Sequence, residues 1–154
     1  MPSNPDLLVS PKQRHGSDYE QLAADFLQQQ GLVLIASNWQ QPKVGEIDLV
    51  MLQSTKHWDT LVFIEVRKRK VSGYGDALTS VTKAKQRKLI KTAKYFLQRH
   101  PQYAHLECRF DVVAYNEPKT IQFETKQTKT GQVDSEPLML LPEWVQSAFM
   151  GAAW

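Results

Sequence analysis

The stretch Gly45-Glu46-Ile47-Asp48-Leu49-Val50-Met51-Leu52, followed after a polar interruption by Leu61-Val62-Phe63-Ile64-Glu65-Val66-Arg67, decides how this chain is read. Both apolar runs are short and rich in Val, Ile and Phe, and residues 53–59 between them hold Ser54, Thr55, Lys56 and Asp59. That composition predicts two strands joined by a hairpin-like loop. Each strand carries an acid in an apolar setting, Asp48 in the first and Glu65 in the second. A carboxylate is costly to bury unless something pairs with it. Strand alternation puts Glu65 and Arg67 on one face and Ile64 and Val66 on the other, so one face of the hairpin can gather Asp48, Glu65 and a cation. Two carboxylates from adjacent strands suit an oxygen-ligated hard cation such as Mg²⁺ or Mn²⁺. The same residues are also compatible with a buried ion-pair cluster.

Working outward, a helix is expected from about Ser17 to Gln30, with Tyr19, Leu22, Ala23, Phe26 and Leu27 as its apolar stripe. Ser17 and Glu20 have the form of a capping box, and Gly31 ends the helix. Residues 1–14, rich in Pro and polar side chains, read as a mobile lead-in. Leu32 to Ala36 is a first strand, and Asn38 to Gly45 a polar loop feeding the Asp48 strand. Ser72 to Asp76 is turn-rich. A second helix spans about Thr82 to Arg99 and stops at Pro101; Gln86, Leu89, Ile90, Ala93, Phe96 and Leu97 form its inner stripe, and Lys83, Arg87, Lys91 and Lys94 its outer one. Arg109 to Tyr115 is a strand whose Asp111 reads as a structural partner for a nearby base. Thr120 to Phe123 is a candidate edge strand after the turn at 116–119, and 127–136 a flexible loop. Pro142 to Met150 reads as a short helix anchored by Trp144 and Phe149. A long helix between the Glu65 and Arg109 strands permits parallel pairing. The expected fold is therefore α/β, bordering on α+β, with a mixed sheet flanked by helices on both faces. The main folded domain is expected over 15–124, with 125–154 as a polar loop and terminal helix.

The composition narrows the function classes. At 154 residues and 42% hydrophobic content the chain suits one domain with a proper core. No apolar run approaches the ~20 residues that span a bilayer, and the N-terminus lacks a signal-peptide pattern, so no membrane partner is expected. A lone Cys108 excludes an internal disulfide and fits a reducing cytoplasm. The four histidines show no zinc spacing. Net charge is only +3, yet Arg67 to Arg99 holds eleven Lys or Arg residues (67, 68, 69, 70, 83, 85, 87, 88, 91, 94, 99) against the single acid Asp76. One basic flank on an otherwise acidic chain suggests a polyanionic partner, a solvated helix face being the plainer account.

Taken together, an N-terminal helix with Gly16 and Glu20, the Gly45-Glu46-Ile47-Asp48 run, Phe63-Ile64-Glu65-Val66-Arg67, the Gly75 loop, the Lys85-to-Leu97 helix and Arg109-Phe110-Asp111-Val112-Val113 resemble a known pattern. It is that of the PD-(D/E)XK nuclease superfamily, with its restriction-endonuclease-like fold, in the Holliday-junction-resolvase-like branch. More closely, the chain resembles the YraN family of bacterial proteins, described as predicted endonucleases. The likeness covers roughly residues 15 to 115. It implies that Asp48 and Glu65 ligate a divalent metal, Mg or Mn, that Glu20 is an accessory acid, and that Arg67 occupies the superfamily's catalytic lysine slot.

The resemblance implies hydrolysis of phosphodiester bonds in nucleic acid, DNA foremost. Lys68, Arg69, Lys70, Lys83, Lys85, Arg87 and Lys91 are the candidate phosphate contacts. Resolvase-like relatives are often dimers, which keeps a homodimer open. Arg67 is the departure from the pattern: arginine stays protonated and can stabilise an anionic transition state but hardly act as a base. That leaves a second reading, a non-catalytic nucleic-acid-binding module on the same fold, and a third, an interaction protein whose buried charges are structural.

Overall fold

The computed structural model describes residues 11–70, 81–117 and 141–150. Helix α1 (Pro11–Gln29) leads into β1 (Val33–Gln41), β2 (Gly45–Ser54) and β3 (Asp59–Lys70); α2 (Lys83–Arg99), a short 3₁₀ turn (Pro101–Tyr103), β4 (Glu107–Glu117) and β5 (Glu143–Phe149) follow. The strands form one sheet in the order β1-β2-β3-β4-β5. Neighbours pair antiparallel except β3 and β4, which run parallel from Thr60↔Glu107 to Lys70↔Glu117. The α2 segment supplies the crossover that parallel pairing requires. The α/β fold with a mixed sheet and a helix on each face is therefore present.

Two cores sandwich the sheet. On one face Ala23, Ala24 and Leu27 of α1 bury Leu49, Met51, Val62, Ile64, Val113 and Tyr115. On the other, Leu89, Ala93 and Phe96 of α2 bury Val50, Leu61, Phe63, Phe110, Val112 and Ala114. Alternation along β3 and β4 sends successive residues to opposite cores, so these central strands are apolar on both sides. Gly31 (φ 94°) ends α1, and the Thr82 hydroxyl caps α2 by accepting from the Lys85 N–H at 3.2 Å.

Several local expectations change. Helix α1 starts at Pro11, so residues 11–14 are helical and Ser17 lies inside the helix, where it cannot cap it. Proline suits the first helical turn because its missing N–H would have no partner there. Leu22, counted on the inner stripe, is exposed. The stretch 38–45 is mostly strand: β1 continues to Gln41, and only 42–44 turn. This end of the hairpin lies beyond the β2–β3 ladder, so here β1 and β2 pair only with each other. Residues 143–149 form strand β5 and no helix. The edge of β4 offers backbone groups that need partners, and an extended segment sends Trp144 to the α1 side while Val145, Ala148 and Phe149 pack on the α2 side. The expected features at 72–76, 120–123 and 127–136 lie outside the described residues.

Candidate active site

The β2–β3 ladder runs in register from Ser54↔Asp59 to Leu49↔Ile64 and stops there. One step further the same register would set Asp48 opposite Glu65. Instead the sheet forks: β2 stays with β1 as far as Gly45, and β3 stays with β4 as far as Lys70. Inside the fork the Val66 N–H donates to Asp48 Oδ2 at 2.8 Å, so a side-chain carboxylate replaces a ladder carbonyl. The same point marks a change of face. Ile47 packs in the α2-side core while Leu49, two residues on, packs in the α1-side core. Regular alternation would put both on one side. Opposite, Asn38 falls between the Ser37↔Leu49 and Trp39↔Ile47 pairs and has φ 51°, a left-handed conformation that Asn tolerates better than most residues. The hairpin end beyond this bend leans over α2, with the Trp39 ring edge-on to Phe96 at 5.2 Å.

Three carboxylates meet at the fork. Asp48 and Glu65 are buried, at 8% and 5% exposure. Glu20 comes from mid-helix in α1 and lies close enough to Asp48 for the two carboxyls to interact. Burial, followed by repulsion from Asp48 and Glu46, pushes the Glu20 carboxyl up to about 7. Burial and then Asp48 push Glu65 up to about 8, against the pull of Lys85 and Arg67. Asp48 is raised as well, chiefly by burial, although the Val66 N–H holds its charged form. Among the described residues no three acid, histidine or cysteine side chains are posed around a single metal position. A hard cation that keeps several waters needs only one or two carboxylates, and Asp48 with Glu65 provides that donor set.

Two cations face the acids. Arg67 Nη1 lies 3.6 Å from Glu65 Oε1 on the same face of β3, and Lys85 Nζ lies 3.5 Å from the same oxygen. Sequence reasoning placed Lys85 among the phosphate contacts and missed its position in the cluster. The signal was present in the helix wheel. Lys85, Leu89, Thr92 and Phe96 share one face of α2, and the last three are buried, so Lys85 opens the inner stripe at the end nearest the fork.

The other basic residues spread out. Lys83, Arg87 and Lys91 are exposed along α2. Alternation splits the run after Arg67: Lys68 stands over the Tyr19 ring on the α1 side, at 5.6 Å, whereas Arg69 pairs with Glu143 of β5 at 2.9 Å. The side chain of Lys70 lies outside the described residues.

A fourth acid is a contrast. Asp111 is buried, but it accepts from Arg109 Nε and Nη2 at 2.8 and 2.9 Å and from Trp144 Nε1 and the Ser147 N–H, both at 3.0 Å. Its charge is fully met, as expected of a structural partner for a base. The acids at the fork crowd one another, whereas Asp111 is satisfied by the chain.

An α/β domain with a forked mixed sheet and a buried acid cluster at the fork is the class of protein that fold and site define. Residues 19–115 match the family described as "Uncharacterised protein family UPF0102", and the chain belongs to that family. A UPF0102 protein of Psychrobacter sp. strain PRwf-1 is 62% identical over 154 residues, covering 100% of both chains. UPF0102 proteins of Alcanivorax borkumensis and Pseudomonas syringae pv. syringae are each 42% identical, over 92% and 91% of this chain and 96% of theirs.

Proposed function

We propose that this protein is a metal-dependent nuclease that hydrolyses phosphodiester bonds in nucleic acid, DNA foremost, at the fork between β2 and β3. One observation carries the reading: Asp48 and Glu65 are buried acids of adjacent strands that meet where the β2–β3 ladder opens, with the half-buried Glu20 of α1 beside Asp48. Strongly perturbed carboxylates cluster at functional sites. Asp48 and Glu65 would hold the divalent cation, Mg²⁺ or Mn²⁺, with Glu20 as the accessory acid. Such a cation, when bound, supplies charge stabilisation at the phosphate and a more acidic water.

The chain's own cations have separable roles. Arg67 offers a planar guanidinium donor to a phosphate oxygen. Lys85 brings from α2 the ammonium that the lysine slot lacks on β3, and can hold a water or a phosphate oxygen beside Glu65. The exposed Lys83, Arg87 and Lys91 would seat the backbone of the nucleic acid without reading its bases. The lone Cys108 fits a cytoplasmic setting.

The second reading, a module that binds nucleic acid without cutting it, is favoured by Arg67 in the lysine slot. Metal titration of wild type beside Asp48→Ala separates the two. Cation-dependent cleavage lost in the variant supports the nuclease. Binding with no cleavage under any divalent cation supports the module. In either case log K should fall with log salt at a slope of about −0.9 per phosphate contact on duplex DNA, and Lys83→Ala/Arg87→Ala/Lys91→Ala should flatten it by up to about three contacts.

A further inference from the structure

Beside the fork, between the end of the β1–β2 hairpin and the first half of α2, lies a cavity of about 470 Å³. That is within the range of ~300–1,000 Å³ for small-molecule sites. Lys43 lines its hairpin wall and Lys85 and Lys88 its helix wall, against the single acid Glu46. Lys85 also contacts Glu65, so cavity and acid cluster are contiguous. Lys43 and Lys88 are exposed, and among the described residues neither is ion-paired. Two cations that face one space from opposite walls repel each other unless an anion stands between them. The walls themselves are held close. A Cβ on Gly45 would lie 2.7 Å from Thr92 Oγ1, and the Lys88 stem passes 3.8 Å from the same point, so this side chain runs from α2 along the hairpin backbone. Lys43 stands at φ 65° in the turn that the Val44 N–H closes onto the Gln41 carbonyl at 3.1 Å. Glycine would hold that conformation without strain, yet the position carries a cation.

We infer that this cavity is a phosphate subsite: it takes the backbone phosphate next to the one at the fork, with Lys43 and Lys88 closing on it from opposite walls. Lys85 belongs to both places, so a strand laid across the first turns of α2 can offer one phosphate to each. The cavity has room for that phosphate together with its flanking sugars. Lysines grip phosphate as point charges and read no bases, so the subsite fixes where the strand lies and which of its phosphates meets the acids. It is separate from the exposed row of Lys83, Arg87 and Lys91, which does not line the cavity. A free phosphate has the same chemistry, and the test separates the two sources. This inference rests on the nucleic-acid reading above but not on cleavage.

The test is run in EDTA, so that binding is read apart from catalysis. ¹⁵N-labelled full-length protein is titrated with inorganic phosphate, while anisotropy follows a labelled DNA duplex as salt is varied. Phosphate shifts should concentrate at residues 40–46 and 85–92. Lys43→Ala and Lys88→Ala should each weaken inorganic phosphate by about 2- to 5-fold, the range for an exposed ion pair. On the duplex, Lys43→Ala/Lys88→Ala should flatten the slope of log K against log salt by about 0.9, the value for one phosphate, because both lysines serve the same one. Lys43→Gly removes the same charge and suits φ 65°, so it should reproduce Lys43→Ala with the turn intact. Lys56→Ala, in the β2–β3 turn at the far end of that ladder, should change neither reading. A loss of about 1.8 in slope would mean two separate phosphates on an open surface and overturn the proposal, as would an equal effect of Lys56→Ala. Duplex binding untouched by the double variant would overturn it too and leave the nucleic-acid reading standing; phosphate shifts at the cavity would then mark a site for free phosphate. No duplex binding at any salt would remove the nucleic-acid reading, and with it the backbone as the source of the phosphate. A protein that passes these tests yet cleaves nothing with Mg²⁺ or Mn²⁺ would lose the nuclease reading and keep the subsite.

Discussion

Lys85 Nζ lies 3.5 Å from Glu65 Oε1, joining the first turn of α2 to the strand on the far side of the fork. The contact puts a second cation on an acid that Arg67 already approaches. If the ammonium serves the reacting phosphate, Lys85→Ala should lower the cleavage rate by about 10²-fold or more, in the range for loss of an electrostatic donor. Arg67→Ala should cost a comparable factor, and Arg67→Lys should keep or raise activity. These rates are measured on DNA with Mg²⁺ at saturating substrate. An unchanged rate for Lys85→Ala would return that residue to the general basic surface.

The raised carboxyls set a pH dependence with a defined sign. Glu20 moves from an ordinary value of 4.5 to about 7, and Glu65 from 4.5 to about 8. Between those limits the folded, metal-free chain holds protons that the unfolded chain has released. Stability is therefore fullest below pH about 4.5 and falls as pH rises through 7 and 8. Glu65→Gln removes the larger share, so thermal unfolding in EDTA from pH 5 to 9 should show a flatter profile and a higher Tm at pH 8 for the variant. A wild-type Tm that climbs over this range would contradict the crowding at the fork.

A divalent cation should reverse that trend. At the proposed site a cation would compete with the proton that Glu65 holds up to about pH 8, so Mg²⁺ or Mn²⁺ should raise Tm more at pH 8 than at pH 6. Asp48→Asn keeps an oxygen for the Val66 N–H while removing the charge, so the fork should stay folded and the rise should vanish. Differential scanning calorimetry reads both arms. An equal rise in the variant would remove the cation from this site.

Gly45 is required by the approach of the hairpin to α2. A Cβ there would lie 2.7 Å from Thr92 Oγ1, a hydroxyl that donates to the Lys88 carbonyl at 2.7 Å. Gly45→Ala should cost about 1–3 kcal/mol, the usual range for overpacking. In a Thr92→Ala background the same change should cost clearly less, because the opposing atom is gone. Denaturant melts of the four proteins give the coupling energy directly.

Asp111 ties β5 to the sheet through Trp144 and Ser147 as well as holding Arg109. Asp111→Ala should destabilise the domain by about 3–5 kcal/mol, since it leaves the mostly buried Arg109 guanidinium without its counterion. Hydrogen exchange should show β5 opening first. Metal response at the fork should survive in whatever fraction stays folded.

Much of this arrangement follows from local sequence. The two runs around Asp48 and Glu65 become β2 and β3 because short β-branched, apolar segments suit a doubly buried strand, and the Leu89–Ala93–Phe96 stripe makes α2 amphipathic at helical spacing. Those patterns also bring Asp48 and Glu65 near each other and leave Lys83, Arg87 and Lys91 on the outer surface. Other features depend on contacts between distant segments. Whether 143–149 would coil or extend was decided by the open edge of β4 and by Asp111 waiting for Trp144 and Ser147. Glu20 reads both as part of a capping box and, by resemblance, as an accessory acid; the start of α1 at Pro11 puts it mid-helix, and the packing of α1 on the sheet sets it near Asp48. The Lys68-Arg69 pair reads as one basic patch along the chain, but strand alternation sends its members to opposite faces. The fork itself, with the bend at Asn38, arises where two strands stop pairing, and ladder register is a property of both strands together. Lys85 reaches Glu65 only because the crossover lays the first turn of α2 beside that opening.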